Sequence, residues 1–182
     1  IMRFLVIALV CLAVPSFAFS GFGPCPSVNV VPNFNVTQYT GTWYEIARDK
    51  SIKFETGDCV SAKYSLRADG KLDVLNTEVR PDGTVNAIKG EAYCDADGSA
   101  NCHVKFSKYQ PWGDYRVLDT DYKTYSIVYS CSSILGLYHF GAGWVLGRNT
   151  DVSPSLASAF ADIGIPASDI RVTNQTACPT SF

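Results

Sequence analysis

Apolar and polar residues alternate along much of the chain, and turn-forming residues separate the alternating stretches. In residues 60–66 and 71–77 the even positions are mostly apolar and the odd positions mostly polar. These even positions hold Val60, Ala62, Tyr64, Leu66, Leu72, Val74 and Asn76. A period of two is that of a strand with one buried face, so we expect Tyr64 and Asn76 to share that face.

Three Asp-Gly pairs lie between successive alternating stretches, at residues 69–70, 82–83 and 97–98. Asp-Gly readily adopts the positive φ of tight hairpins, so neighbouring strands should be antiparallel. We predict eight strands, of which the first opens at Gly41. The other seven cover residues 59–67, 71–79, 85–93, 102–108, 115–121, 124–131 and 138–148. Short strands joined by hairpins predict an all-β sandwich or barrel in up-and-down order.

The hydrophobic period changes after residue 150. Leu156, Ala159, Phe160 and Ile163 follow a helical spacing, which predicts one C-terminal α-helix. Residue 153 is a serine and residue 154 a proline, which suit an N-cap and the first helical position. Gly164 should end the helix, and a last strand is expected over residues 169–174.

Residues 1–20 have the features of a secretory signal peptide. Arg3 gives a short positive start, residues 4–14 are an apolar run, and Pro15 interrupts it. The run is too short for a membrane span. Residues 21–182 have the size of one domain, and we expect this part to be secreted and extracellular.

The segment after the predicted signal keeps six of the seven cysteines, and an even number in a secreted chain indicates disulfides. These are Cys25, Cys59, Cys94, Cys102, Cys131 and Cys178. The residue pattern alone leaves their pairing open. No metal site is expected, because the chain has no Cys-x-x-Cys motif and has just two histidines, His103 and His139, that could join one.

Charge is balanced, with 15 Lys and Arg against 17 Asp and Glu and a net charge of −2. Because there is no basic run, nucleic acid is not an expected partner. Apolar residues make up 47% of the chain, which is enough for a full core and an apolar cavity. Asn35 and Asn174 each begin an Asn-x-Thr sequon and are candidate glycosylation sites.

Three short blocks, widely separated along the chain, carry a family resemblance. They consist of Gly41 with Trp43, then Thr120, Asp121 and Tyr122, and finally Arg148. In this order and spacing they resemble the three signature regions of the lipocalins, whose eight-stranded barrels hold one small apolar ligand. The resemblance implies that Arg148 covers Trp43 at the closed end of the barrel, as a structural cation–π contact.

Within the lipocalins the chain is most similar to the apolipoprotein D-like branch, including its invertebrate and pigment-binding members. The similarity runs from Cys25 to Cys178 and includes residues 82–86 and 104–107. The two long-range bridges of this branch imply the disulfides Cys25–Cys131 and Cys59–Cys178. The remaining pair, Cys94 and Cys102, flanks an Asp-Gly turn and is expected to staple a hairpin.

The predicted ligand site combines strand phasing with the resemblance. The resemblance places Tyr64, Asn76 and Trp144 at pocket-lining positions. Phasing and alternation add Val60, Ala62, Leu72, Val74 and Phe106. A buried Asn needs a hydrogen-bonding partner, which is either the ligand or a trapped water. The alternative for Tyr64, Asn76 and Trp144 is ordinary core packing.

Together these features predict a carrier that binds one small hydrophobic molecule and requires no cofactor. The resemblance implies a fatty acid, sterol, bilin or carotenoid, of which the last two are chromophores. One alternative is a lipid-modifying enzyme with an unpaired barrel thiol. The nearest candidate thiol, Cys59, is assigned to a disulfide, and no Ser/His/Asp arrangement is visible, so no catalytic residue is expected.

A second alternative is an interaction module that uses the apolar hairpin tip at residues 132–140. Exposed apolar tips often contact membranes, lipoproteins or partner chains. The competing expectation is that the tip folds over the barrel mouth and lines the entry to the pocket.

Overall fold

The structure, a computed structural model, describes residues 20–179 of the 182-residue chain. Apart from Ser20, the predicted signal peptide lies outside the described residues. The described strands are β1 (Ser20–Phe22), β2 (Gly41–Asp49), β3 (Asp58–Leu66), β4 (Leu72–Val79), β5 (Val85–Cys94), β6 (Asn101–Lys105), β7 (Gly113–Thr120), β8 (Tyr125–Ile134), β9 (Tyr138–Gly147) and β10 (Ile170–Val172). A short α-helix, α1, covers Val36–Tyr39, and 3-10 helices cover Pro154–Ile163 and Ala167–Asp169.

Strands β2 to β9 form a closed barrel. Each strand is antiparallel to the next along the chain, and β9 also pairs with β2, where Gly147 lies opposite Tyr44 and Leu146 opposite Glu45. Closure pairs the strand edges that an open sheet would expose. The short β1 pairs with β9, and β10 pairs with the far end of β2. The predicted eight-stranded, up-and-down antiparallel barrel is therefore confirmed.

The predicted Asp-Gly turns connect strands in the structure. Gly83 and Gly98 have φ values of +81° and +77°, which a residue with a side chain rarely adopts. Asp82 and Asp97 each accept a hydrogen bond from the backbone N–H two residues later, at 2.9 and 2.8 Å. These bonds hold the chain in the tight reversal that a hairpin requires.

The C-terminal helical segment packs against the outside of the barrel. It begins after Ser153, whose side chain caps it, and ends at Gly164, which has φ +92°. Its turns are of the 3-10 type, in which residues three apart lie in line. Ala157 and Phe160 are accordingly both buried. An added Cβ at Gly143 of β9 would lie 2.9 Å from the Phe160 ring, so glycine there makes room for the helix.

Three disulfides join the cysteines of residues 20–179, and their pairing is the one that the resemblance implies. They are Cys25–Cys131, Cys59–Cys178 and Cys94–Cys102. The first two close loops of 106 and 119 residues. In the loop-entropy model each contributes about 5 kcal/mol by restricting the unfolded chain. The third joins directly opposed residues of the β5–β6 hairpin.

Arg148 joins three segments at the closed end of the barrel. Its guanidinium lies 3.7 Å from the ring centroid of Trp43, which is fully buried. Its nitrogens donate to the backbone carbonyls of Tyr122, Thr42 and Gln38 at 3.0, 2.9 and 2.9 Å. A planar guanidinium with several fixed donors can stack on the indole and bind three carbonyls at once, which a lysine ammonium could not do.

Gly41 leaves room for this guanidinium at the start of β2. Its φ is +97°, and an added Cβ would lie 3.1 Å from Nη1 of Arg148. A side chain here would strain the backbone and displace Arg148, which explains why the first signature block has a glycine at this position.

Residues 120–122, the second signature block, build the turn that meets Arg148. The Thr120 hydroxyl donates to the Tyr125 carbonyl at 2.6 Å. The Asp121 carboxylate accepts hydrogen bonds from the backbone N–H groups of residues 123–125, at 2.7–3.1 Å. Burial alone raises the pKa of Asp121, but a hydrogen bond from the Thr124 hydroxyl and these backbone hydrogen bonds outweigh it and lower the pKa to about 2. The turn therefore keeps its ionised carboxylate across the physiological range.

We expect Arg148→Ala to lower the free energy of unfolding by about 2–3 kcal/mol, since hydrogen bonds from a charged group contribute roughly 1.5–3 kcal/mol. Urea unfolding at neutral pH measures this change. Arg67→Ala is the matched control, because Arg67 pairs with surface carboxylates. It should change stability by about 0.5 kcal/mol at most. Equal losses in the two variants would contradict the structural role of Arg148.

Candidate functional site

The barrel encloses a cavity of about 890 Å³. Aromatic rings contribute much of its wall, and they belong to Phe54, Tyr64, Phe106, Tyr115, Tyr138, Phe140 and Trp144. Alternation along the strands directs one face of each inward, which is why an apolar wall forms. A cavity of this size, mainly apolar with a few polar groups, suits one small organic molecule.

Most of the predicted ligand-site residues line this cavity. They are Val60, Ala62, Tyr64, Val74, Asn76, Phe106 and Trp144. They come from β3, β4, the start of the β6–β7 loop and β9, so the closed barrel brings together residues that are far apart in sequence. That they contact a ligand stays a prediction.

Leu72 is the exception, and its predicted place in the ligand site is corrected. It is buried below the cavity, in the closed-end core with Phe34 and Ala92. Because β4 begins at the closed end, its first inward-facing residue falls beneath the cavity floor. Phasing identified the correct face of the strand but not the height along the barrel.

A chain of hydroxyl groups forms the floor of the cavity. Tyr64 donates to the Tyr115 hydroxyl at 2.9 Å, and Tyr39 lies 3.0 Å from Tyr115 and 2.9 Å from the Ser126 hydroxyl. Burial raises the pKa of Tyr39 to about 12, and it also raises the pKa values of Tyr64 and Tyr115. These hydroxyls therefore remain neutral at physiological pH and satisfy one another.

Asn76 places an unsatisfied acceptor at the cavity wall. It lies on β4 opposite Ala62 and Ile88. Its Oδ1 is buried and has no hydrogen-bond partner among the described residues. A buried acceptor without a partner costs about 1–3 kcal/mol, which a donor from a ligand or a trapped water would relieve. Asn76 is therefore a candidate polar contact for a ligand.

A β-bulge in β2 brings two charged residues together. In a regular strand residues three apart face opposite sides, but the β2–β9 register shifts between Glu45 and Ala47. Glu45 and Arg48 consequently form a salt bridge, and they are 1% and 2% exposed. The Thr173 hydroxyl also donates to Glu45, and Arg48 donates to the Gly57 carbonyl at 3.0 Å. These partners compensate a pair of charges that burial would otherwise penalise.

Glu55, in the loop between β2 and β3, adds a second carboxyl to the same wall. Its Oε2 accepts a hydrogen bond from the indole N–H of Trp144 at 3.0 Å, and the Glu45 charge is near enough to act on its pKa. Burial and then the Glu45 charge raise the pKa of Glu55, Trp144 and Arg48 lower it in part, and the pKa that results is about 8. Near neutral pH Glu55 is therefore mostly protonated.

Glu45, on the same wall, has a carboxyl oxygen without a hydrogen-bond donor, since its buried Oε2 atom has no hydrogen-bond partner within the described part of the chain. A protonated Glu55 can donate a hydrogen bond to a neighbouring carboxylate, which an ionised Glu55 cannot. The result is an acid pair at the wall of an otherwise largely apolar cavity.

The sequence pattern did not point to Glu45, Arg48 or Glu55. Glu45 lies two positions after Trp43, so a period of two could have placed both on the inner face. Arg48 and Glu55 carried no comparable signal, since a bulge positions the first and a loop positions the second.

All six cysteines of residues 20–179 are in disulfides, so this part of the chain lacks the free thiol that the enzyme alternative requires. Over the same residues, His, Cys, Asp and Glu side chains do not gather in threes as a metal site would need. None of the described helices is long and apolar enough to cross a membrane.

The β8–β9 hairpin tip combines both features that the sequence suggested. Leu135 and Leu137 in the turn are 88% and 69% exposed. Tyr138 and Phe140, at the base of the same hairpin, line the cavity. The turn thus presents apolar side chains outward, while the base forms part of the cavity wall.

The two sequon asparagines are exposed, as attachment of a glycan would require. Asn35 caps helix α1 by accepting a hydrogen bond from the Gln38 backbone N–H at 3.0 Å. Asn174 accepts one from the Thr176 backbone N–H at 2.9 Å. Glycosylation of either residue stays a prediction.

Comparison with known proteins supports the assignment made from the signature blocks. A family model described as a lipocalin-like domain matches residues 34–164. The chain is 43% identical over 162 residues to apolipoprotein D of Oryctolagus cuniculus, covering 86% of this chain and 85% of that protein. It is 36% identical over 129 residues to the Lazarillo protein of Schistocerca americana, covering 68% of this chain and 59% of that protein.

Solved structures share the fold at lower sequence identity. Insecticyanin from the tobacco hornworm Manduca sexta has a TM-score of 0.73 and 24% identity, covering 87% of this chain and 90% of its own. Lobster apocrustacyanin A1 has a TM-score of 0.70 and 22% identity, covering 90% of this chain and 94% of its own. At these identities the likeness concerns the fold.

Ionisation of Glu55 should make the stability of the protein depend on pH. Its pKa of about 8 in the folded protein lies above the ordinary carboxyl value of 4.5, so the folded state holds the proton more tightly between these values. The free energy of unfolding should therefore fall as the pH rises from about 5 to about 8. Glu55→Gln cannot ionise and keeps an acceptor for the Trp144 N–H, so its stability should fall less over this range.

Thermal unfolding at about pH 5 and about pH 8 measures how much more the native protein loses than Glu55→Gln. We expect the melting temperature of the native protein to drop by at least about 2–4 °C more than that of Glu55→Gln, since about 1 kcal/mol has this effect in a domain of this size and the full pKa shift amounts to several kcal/mol before solvent screening. Asp73→Asn, which removes an exposed carboxylate, is the control and should follow the native profile. Parallel profiles for the native protein and Glu55→Gln would show that Glu55 is not protonated in the fold.

Proposed function

Because the chain belongs to the lipocalin family, we propose that it is a carrier that holds one small hydrophobic molecule inside its barrel. The observation that carries this proposal is the enclosed cavity of about 890 Å³ with its largely apolar wall. Burial of apolar surface is worth about 25 cal/mol for each Å² removed from water. An elongated apolar molecule therefore gains most of its affinity from entering the barrel, with few polar contacts.

The proposed ligand is a fatty acid, sterol, bilin or carotenoid, and the protein requires no separate cofactor. Apolar walls discriminate weakly between molecules of similar bulk, so the polar groups have to orient the ligand. Asn76 offers an unsatisfied acceptor, and Trp144 and Tyr64 offer aromatic surface in the same cavity. A bilin or carotenoid would make the protein coloured, which an absorption spectrum of the native protein reveals directly.

We further propose that the carrier works outside the cell. Three disulfides within residues 20–179 fit an oxidising compartment, and residues 1–20 have the composition of a secretory signal. The exposed sequons at Asn35 and Asn174 fit the same route. Nucleic acid is not among the proposed partners, since the charge of the chain is balanced.

A second candidate activity is peripheral contact with a membrane or lipoprotein surface through the hairpin turn. Leu135, at 88% exposed, is the observation that favours it. Such a contact is compatible with carriage, because the base of the same hairpin lines the cavity from which a ligand would leave.

Ligand titration of the delipidated protein tests the carrier function. We expect a fluorescent hydrophobic probe to saturate near one molecule per chain and to quench the emission of Trp144, which lines the cavity. Trp144→Phe should remove most of the quenching but only part of the affinity, since little apolar area is lost. Arg148→Ala is the matched control, and its binding should persist once its lower stability is allowed for. Failure of every hydrophobic probe to saturate a folded, delipidated sample would refute the proposal.

Asn76→Leu tests whether Asn76 orients the ligand. The substitution removes the acceptor but keeps the bulk of the side chain, so we expect it to weaken ligands with a polar end group by about tenfold, the effect of about 1.4 kcal/mol. Pure hydrocarbons of the same length should bind as well as before. Equal losses for both kinds of ligand would mean that Asn76 supports the barrel wall instead.

A further inference from the structure

The charged groups that line the cavity are mainly acidic. Among its described lining residues, the carboxyls of Glu45, Glu55, Glu78 and Asp114 face one ammonium, that of Lys53. Charges interact more strongly in a poorly solvated cavity than in water. A cationic group of a ligand would therefore find more carboxyl groups than ammonium groups at this wall.

Two of these carboxyls are already satisfied by the protein. Glu78 accepts hydrogen bonds from the Gly57 backbone N–H at 2.8 Å and from the Asn86 amide at 3.1 Å. Asp114 forms an ion pair with Arg116 at 2.7 Å. Neither of them needs a ligand to complete its hydrogen bonds.

Glu45 and Glu55 form the pair that remains. The Oε1 atom of Glu45 is held by Arg48 and Thr173, and its buried Oε2 has no hydrogen-bond partner among the described residues. Glu55 is only partly buried, and the Trp144 N–H holds its Oε2 at 3.0 Å. Glu55 is thus the member of the pair that a molecule in the cavity can touch, backed by an acceptor that must have a donor.

We propose that the Glu45–Glu55 pair is a second polar contact of the cavity, apart from Asn76, and that it binds a ligand whose polar end is a protonated nitrogen. The inference rests on the proposed carrier function and adds long-chain amines to the classes of ligand proposed above. The ammonium group donates hydrogen bonds to the two carboxylates in place of the proton that Glu55 holds, and its apolar chain fills the cavity. Trp144 keeps the Glu55 carboxylate in position for this contact.

Binding at this pair exchanges a proton for a cation. In the free protein near neutral pH, Glu55 holds a proton because burial raises its pKa to about 8. When the ammonium group enters, Glu55 ionises and the proton passes to solvent. The total charge of the two carboxyls and their bound donor is unchanged, so the cavity gains no uncompensated charge.

Groups from three strands face Glu55. Glu45 and Arg48 belong to β2, Tyr64 to β3 and Trp144 to β9. Burial raises the pKa of Tyr64, and a guanidinium keeps its charge at all relevant pH values. Neither therefore changes charge between about pH 6 and 8.

The loop that carries Glu55 is held by further charged groups. Lys53 lies in the same loop and lines the cavity. Glu78 of β4 and Arg171 of β10 both bind Gly57, through its N–H and its carbonyl, at 2.8 Å each. They fix the loop that positions the Glu55 carboxyl.

Calorimetric titration with three probes of equal chain length tests the proposal: dodecylamine, 1-dodecanol and dodecanoate, each below its micelle concentration. At neutral pH we expect dodecylamine to bind about tenfold more tightly than dodecanoate, a difference of about 1.4 kcal/mol. Titrations in two buffers of different ionisation enthalpy should show nearly one proton released for each amine bound. Amine affinity should rise by up to about tenfold per pH unit below pH 8, as linkage to one proton requires.

Glu55→Gln should abolish both the proton release and the pH dependence, and reduce amine affinity to that of the alcohol. Asp73→Asn removes one exposed carboxylate on the outer face of β4, so it controls for net charge and should keep both properties. The native protein alone already decides the matter through proton release, even if a variant folds poorly.

The outcomes separate this inference from the carrier function. Amine binding without proton release, or equal affinities for dodecylamine and dodecanoate, would overturn the assignment to the carboxyl pair. The carrier function would still stand in that case if dodecanol bound. If none of the three probes bound the delipidated protein, both proposals would fall.

Discussion

The pairing of β9 with β2 is the constraint on which the rest of the structure depends. It closes the barrel, so a cavity exists at all. At its closed end Arg148 lies over Trp43, and the same guanidinium joins three backbone segments. Further along, the register places Trp144 opposite Arg48. Trp43, which Arg148 covers at the closed end, and Trp144, which lines the cavity, therefore lie along one seam.

The irregularity in that seam is what gives the cavity a polar wall. A straight strand would direct Glu45 and Arg48 to opposite sides, and the buried carboxylate would then lose its cation. The bulge allows them to pair, which offsets a desolvation cost of several kcal/mol for each ion. Glu55 enters from the adjoining loop and meets a charge that is already compensated. Its own burial is therefore tolerated in the protonated form.

Much of the fold follows from local rules that the sequence displays openly. Strand alternation, Asp-Gly turns and the serine and glycine at the two ends of the C-terminal helix each depend on residues close in the chain. The cysteine pairing required the family resemblance, because spacing alone allowed several connectivities. Seven of the eight predicted pocket residues line the cavity, since the direction in which a strand residue points is also a local property. Leu72 does not line it, because depth along the barrel depends on contacts between residues far apart in the chain.

The sequence by itself thus determined which residues form strands and which side of each strand is apolar, because both depend on a period of two. Tertiary structure decided what lies at each height in the barrel and which polar groups meet. Glu45, Arg48, Glu55 and Trp144 come from a bulged strand, a loop and a strand that is far away in sequence. Their proximity depends on barrel closure and on the register at the seam, and neither leaves a periodic trace in the chain.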